Sequence, residues 1–228
     1  MSIDTTVDLD TPPLRDGDRL TADEFHRRYE AMPHVLNANL IDGVVYMSSP
    51  ISFGRHAEPC ALIVGLLHVY ARFLRGLRLG DNSTLRVDDR NEPQPDVMLS
   101  LDADRGGQTW EDDRGFLHGT PELVVEVAAS SARIDAGVKR DLYERIGVKE
   151  YILWRPLEDR LDWWGHADGS YQPLPADAAG VIRSAVFPGL WLDVPALMAD
   201  DIRRLTETLE AGLASPEHQA FADRVGRR

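Results

Sequence analysis

A single cysteine, Cys60, in 228 residues excludes an intrachain disulfide framework and a cysteine-only zinc site. Long apolar runs are missing too. The longest, about Ala61–Val69, falls far short of the ~20 residues of a membrane-spanning helix, so no membrane partner is expected. The opening MSIDTTVDLD is acidic and polar and lacks the basic start and apolar stretch of a secretory signal, which makes a cytoplasmic protein the expectation. There is no Gly-rich phosphate loop, no dinucleotide fingerprint and no Gly-x-Ser-x-Gly elbow around Ser130-Ser131, whose serines read as the loop and cap before a helix. Positive charge is scarce: 25 Lys and Arg face 38 Asp and Glu, a net of −13, which suits a general polyanion binder poorly.

What is present, 43% hydrophobic and 28% charged residues, is the profile of a globular chain of one sizeable domain. Charge is uneven along it. Residues 87–132 carry three arginines against eleven acids, whereas 55–86 carry five arginines against two acids and 133–149 five basic residues against three acidic ones. Residues 1–19 read as a flexible arm. Thr21 with Glu24 three positions on forms a capping box for a helix to about Ala31. Asp42-Gly43 turns a hairpin within Asn39–Ser48, and Leu62, Leu66, Val69, Tyr70 and Phe73 recur at helical spacing over 56–75. Strands are expected at 77–87 (interrupted near Asp81-Asn82), 95–101, 121–129 and 150–154. A loop of about 18 residues precedes the third of these, and a helix over 133–146, stopped by Gly147, follows it. A hairpin at 160–174, two short strands over 181–193 and a polar helix whose last dozen residues fray complete the chain. Strands alternating with helices predict a mixed sheet with helices on its faces.

Three residues carry chemistry. Glu126 sits in the apolar run PELVVEVAA, where an ionised carboxylate needs a cation, a donor or a proton; an Arg or Lys across the sheet, or a solvent channel, meets that need equally. Asp96 enters VMLSL and either caps a strand end or, if the two strands are neighbours, converges on Glu126; a divalent cation then offsets the repulsion, and Mg²⁺ suits such oxygen ligands. Lys139 lies four residues after Asp135 and forms either an ordinary helix-surface pair or an ammonium leaning over the carboxylates. His56 and Cys60 share a helix start without further soft ligands, so no zinc site is expected; His56 reads as a helix-start residue or, less favoured, as a polar residue near the site. The five tryptophans, Trp110 among them, could stack bases, but most read as core or interface and none is assigned to nucleic acid.

The ordered set PDVMLSL, PELVVEVAASS, D-x-x-x-K and YERIGVKEYILW resembles the Uma-two family of restriction-endonuclease-like proteins. LIDGVVYMSSP with His56 after it, and SAVFPGLWLDVPALM, fit the same pattern from about Phe25 to Met198. The resemblance implies an α/β, restriction-endonuclease-like PD-(D/E)XK domain over 20–198, a mixed β-sheet flanked by helices, with a C-terminal helix and tail at 199–228. It implies Asp96 as the motif aspartate, Glu126 as the second acid, and Lys139 in place of the lysine absent at Ala128. Asn39 stands where the family has a Glu before its Leu-Ile-Asp-Gly run.

The expectation is a Mg²⁺-dependent (or Mn²⁺-dependent) endonuclease acting on DNA. Asp96, Glu126 and the Val127 carbonyl would hold the metal, and Lys139 would position water or stabilise charge. Arg55, Arg72, Arg75, Arg78 and Arg86 are the candidate phosphate contacts. Cutting both DNA strands favours a homodimer. The alternative is a nuclease-like fold without catalysis, acting as a nucleic-acid-binding or protein-interaction module, for which Asn39 and the net charge speak.

Overall fold

The computed structural model describes residues 11–35, 37–129 and 131–227. Its helices are α1 (Ala22–Glu30), α2 (Glu58–Ala71), the single turn α3 (Ala132–Ile134), α4 (Arg140–Ile146), α5 (Val194–Met198), α6 (Ile202–Leu213) and α7 (Pro216–Val225). Two π-helical turns, Phe53–Ala57 and Asp135–Lys139, run directly into α2 and α4. The strands are β1 (Ala38–Ile41), β2 (Val44–Met47), β3 (Leu77–Asp81), β4 (Leu85–Arg86), β5 (Val97–Leu101), β6 (Gln108–Glu111), β7 (Leu117–Thr120), β8 (Leu123–Val127), β9 (Glu150–Arg155), β10 (Arg160–Ala167), β11 (Ser170–Pro173), β12 (Val181–Arg183) and β13 (Trp191–Asp193).

Six strands form the main sheet in the order β11-β10-β9-β8-β5-β3. The β8–β9 pair is parallel and every other pair antiparallel, so the sheet is mixed, as the sequence predicts. Parallel neighbours need a crossover, and the segment from α3 to α4 supplies it. Alternation along β8 divides the interior. Leu123, Val125 and Val127 pack with Ile63, Leu67 and Tyr70 of α2 and Leu205 and Leu209 of α6. Val124 and Ala128 pack on the other face with Tyr143 of α4 and with Tyr151 and Leu153 of β9. Glu126 shares the parity of this second face. The β1–β2 and β10–β11 hairpins turn at Asp42-Gly43 and Asp168-Gly169, where both central residues of each pair have positive φ (52° and 75°, 51° and 83°), the type I′ geometry that matches strand twist.

Several expectations change. Residues 1–10 of the expected arm lie outside the described residues, but the remainder is pinned: Leu14 is buried and the Gly17 amide donates to the Val45 carbonyl at 2.8 Å. On α2 the buried seam is Ile63, Leu67 and Tyr70, while Phe73 is exposed; a helix apolar nearly all round leaves periodicity unable to choose a face. The loop before β8 contains the β6–β7 hairpin, which joins β4 in a separate three-stranded sheet; its segments QTWE and LHGT lack an apolar alternation that would reveal them. Trp110, in β6, is exposed and stacks on His118. The C-terminus does not fray, because α7 buries Phe221, Ala222 and Val225 in the main core. Among the described residues no helix is long and apolar enough to cross a membrane.

Phe221→Ala should therefore destabilise the protein by about 3–5 kcal/mol, the range for a buried aromatic, at ~2–4 °C of melting temperature per kcal/mol. A denaturation series measures this. A change within ~0.5 kcal/mol is what a frayed tail would give.

Candidate active site

The site grows from the pairing of β5 with β8. Val97 lies opposite Val125 and Met98 opposite Val124, and one further step of that register sets Asp96 against Glu126. Asp96 lies just before β5. Its Oδ2 accepts from the Val127 amide at 2.7 Å, so the backbone of β8 fixes the carboxylate. The second bond to Oδ2 comes from His56 Nε2, at 3.2 Å. Of the two readings of His56, the less favoured one, a polar residue near the site, is the one this contact fits. The π-helical turn Phe53–Ala57 carries its ring to Asp96, and the hydrogen bond to Asp96 raises the imidazole pKa against the opposing effect of burial.

Glu126 is 1% exposed in the central strand. Its Oε1 accepts from Lys139 Nζ at 2.9 Å and from the Tyr143 hydroxyl at 2.8 Å. Lys139 also pairs with Asp135 Oδ1 at 3.3 Å, and the Tyr151 hydroxyl donates to the Asp135 carbonyl at 2.9 Å. The widened turn Asp135–Lys139 thus puts both of its charged side chains inward, and both are buried. Of the two readings of the Asp135–Lys139 spacing, the surface pair is excluded. Burial pushes the Glu126 carboxyl up to about 8, with Asp96 and Asp135 adding to the effect and Lys139 opposing it. Burial alone would lower the Lys139 ammonium, but the carboxylates of Glu126, Asp135 and Asp96 raise it above its ordinary value. Burial and Glu126 hold the Tyr143 phenol well above its usual range, so it stays a proton donor to Oε1. Asp135 and Tyr143 each stand four residues from Lys139, on its own helical face; that spacing is the signal by which Tyr143 could have been found.

Of these groups His56, Asp96, Glu126, Asp135 and Lys139 line one cleft of about 390 Å³, and Tyr143 and Tyr151 are not among its lining residues. None of the bonds above uses Asp96 Oδ1 or Glu126 Oε2. Asn39, in β1, also lines the cleft; its Oδ1 accepts from the Gln94 amide at 2.7 Å and so braces the segment leading to Asp96. Of the five arginines expected at phosphates, Arg55 borders the cleft. Arg72 and Arg75 follow the far end of the 14-residue α2, about 20 Å away at ~1.5 Å per residue. Arg78 pairs with Glu111, and Arg86 with Glu92 at 3.2 Å and Asp23 at 3.3 Å. The five do not form one basic surface. Among the described residues, no group of three or more His, Cys, Asp or Glu side chains is placed to hold a metal ion.

A mixed sheet flanked by helices, with two acids and a lysine meeting at the end of paired central strands, defines a nuclease-like α/β fold. A crystal structure described as a putative nuclease belonging to DUF820, from Anabaena variabilis, superposes with a TM-score of 0.60 at 14% identity, covering 79% of this chain and 98% of that one. The family model "Uma2: Putative restriction endonuclease" matches residues 22–195, and the chain belongs to this family. No curated protein matches the chain.

The raised Glu126 carboxyl has a stability signature. Between its ordinary value of 4.5 and about 8 the folded state holds a proton that the unfolded state has released, so stability falls as pH rises through that window. Glu126→Gln keeps the shape and removes this loss. Relative to the parent, its melting temperature in EDTA should climb between pH 5 and pH 8.5, by ~2–4 °C per kcal/mol relieved. A pH-independent offset would show that the carboxyl is not raised.

Proposed function

We propose that this chain is a divalent-metal-dependent endonuclease that hydrolyses phosphodiester bonds in DNA. The observation that supports this is the meeting of Asp96, Glu126 and Lys139 at one cleft. The donor set fits Mg²⁺ or Mn²⁺. Such ions need only one or two carboxylates and keep several waters, and each acid has an oxygen left over from its protein hydrogen bonds. Asp96, Glu126 and the Val127 carbonyl would hold the ion. When bound, it supplies Lewis acidity toward a phosphate oxygen and makes water a better nucleophile near neutral pH.

The chain's own residues do the rest. His56 and the Val127 amide keep Asp96 in one rotamer, and Tyr143 does the same for Glu126. Lys139, kept protonated by its acidic neighbours, offers an ammonium that orients a water or stabilises charge gathering on the phosphoryl oxygens. Asp135 limits how far that ammonium can stray. Arg55, at the mouth, pairs with a flanking phosphate.

Asp96→Ala, Glu126→Ala and Lys139→Ala should each lower Mg²⁺-dependent plasmid nicking by at least ~10²-fold. Paired changes should add little, because the three act as a unit. Nicking that survives EDTA, or a fully active Glu126→Ala, would refute the mechanism.

A further inference from the structure

We infer that the strand entering this cleft is unpaired, with a base seated against an apolar rim made by Ile51 and Leu157 and extended outward by Phe53. This rests on reading the cleft as a phosphodiester site and names the form of nucleic acid it takes. Of the seven large apolar side chains exposed among the described residues, two line the cleft and two more, Phe53 and Val138, lie on the turns that carry its lining residues Arg55 and Lys139. Ile51 and Leu157 line it, 53% and 58% exposed. Phe53, 76% exposed, stands between the lining residues Ser52 and Arg55, and Val138 stands on the turn that carries Lys139. The turn Pro156–Glu158 lies against the turn Phe53–Ala57.

A duplex presents phosphates and sugars outward and keeps its base faces stacked inside, so an apolar rim has nothing to bind there. An unpaired strand exposes those faces, and aromatic side chains stack on them whatever the sequence. The cations agree. Duplex affinity rises with the number of Lys and Arg at phosphates, but Arg78 and Arg86 are paired with acids. Arg55 and Arg133, which lies between the lining residues Ser131 and Ile134, form no ion pair among the described residues. One lining guanidinium, a buried ammonium and about 390 Å³ of space suit one or two nucleotides of a single strand.

The test is fluorescence anisotropy of a short labelled oligodeoxynucleotide, alone and annealed to its complement, in EDTA. The wild-type protein should bind the single strand at least about tenfold more tightly than the duplex. Phe53→Ala should lose about tenfold in single-strand affinity, the size of one lost stack, with no change in melting temperature because the ring is exposed. Phe53→Trp should retain the affinity. Equal or tighter duplex binding, or an unaffected Phe53→Ala, overturns the inference. Cleavage of the same strands in Mg²⁺ is read separately. If neither strand is cut while the single-strand preference and its dependence on Phe53 hold, hydrolysis fails and the unpaired-strand inference stands. Cutting of both strands at equal rates by wild type and Phe53→Ala does the reverse.

Discussion

Burying one carboxylate in the middle of the central strand constrains everything around it. Glu126 lies between apolar neighbours on β8, where an uncompensated charge costs several kcal/mol. Its compensation reaches it from one direction, the crossover between β8 and β9. Lys139 and Tyr143 bring a charge and a hydroxyl to the same oxygen, and Asp135 and Tyr151 hold the turn that presents Lys139. The crossover can dock in only one register without stranding these groups. Stability does not explain the arrangement, since well-packed apolar residues in place of a buried ion pair are commonly as stable or more so. The arrangement is what the proposed function requires, a site held ready for a cation and a phosphate.

Other buried acids show that burial alone does not make a site. Glu150 accepts from the Ala185 amide (2.7 Å), the Ser184 hydroxyl (2.8 Å), the Val186 amide (3.1 Å) and Trp163 Nε1 (3.2 Å), and so ties the segment after β12 to β9. Glu92 lies between His26 and Arg86 and fastens α1 to the chain leading to Asp96. Glu122 takes the Leu101 amide. None of these borders the cleft. Asp96 and Glu126 differ because open space adjoins them and because Lys139 answers to two acids at once.

Glu126 was legible because strand alternation in PELVVEVAA puts a carboxylate where only apolar side chains otherwise occur. Its opposition to Asp96 followed once β5 and β8 were taken as neighbours. Lys139 was not legible from spacing, since an Asp and a Lys four apart usually form a surface pair; the resemblance to a family placed it. The contact of His56 with Asp96 is not legible in the sequence, for a geometric reason. It depends on a π-helical turn, and no residue pattern in SFGRHAEP announces the wider turn. The arginines misled because counting charge along a segment says nothing about partners, and Arg78 and Arg86 spend theirs on Glu111 and Glu92. The α7 helix was missed because its apolar residues are few and separated, although three of them reach the core.

The same bookkeeping reshapes the net charge of −13. Many acids of the 87–132 segment are already engaged: Glu92 with Arg86, Glu111 with Arg78, Asp112 with His118, Glu122 with a backbone amide. A hydrogen bond from His118, and the Phe116 and Arg114 backbone amides, hold the Asp112 carboxyl down to about 2. The acidity is therefore partly internal, and the two flanking basic segments do not add up to a positive face. What the cleft offers a polyanion is short-ranged: the Arg55 guanidinium at the rim and one ammonium within. At long range the protein repels such a ligand, and at contact it attracts it. Screening acts over about 8–10 Å at moderate salt and weakens the distant repulsion more than the buried contacts. Salt should then hinder this protein's association with nucleic acid less than it hinders that of a basic binder, whose affinity comes from many exposed phosphate contacts.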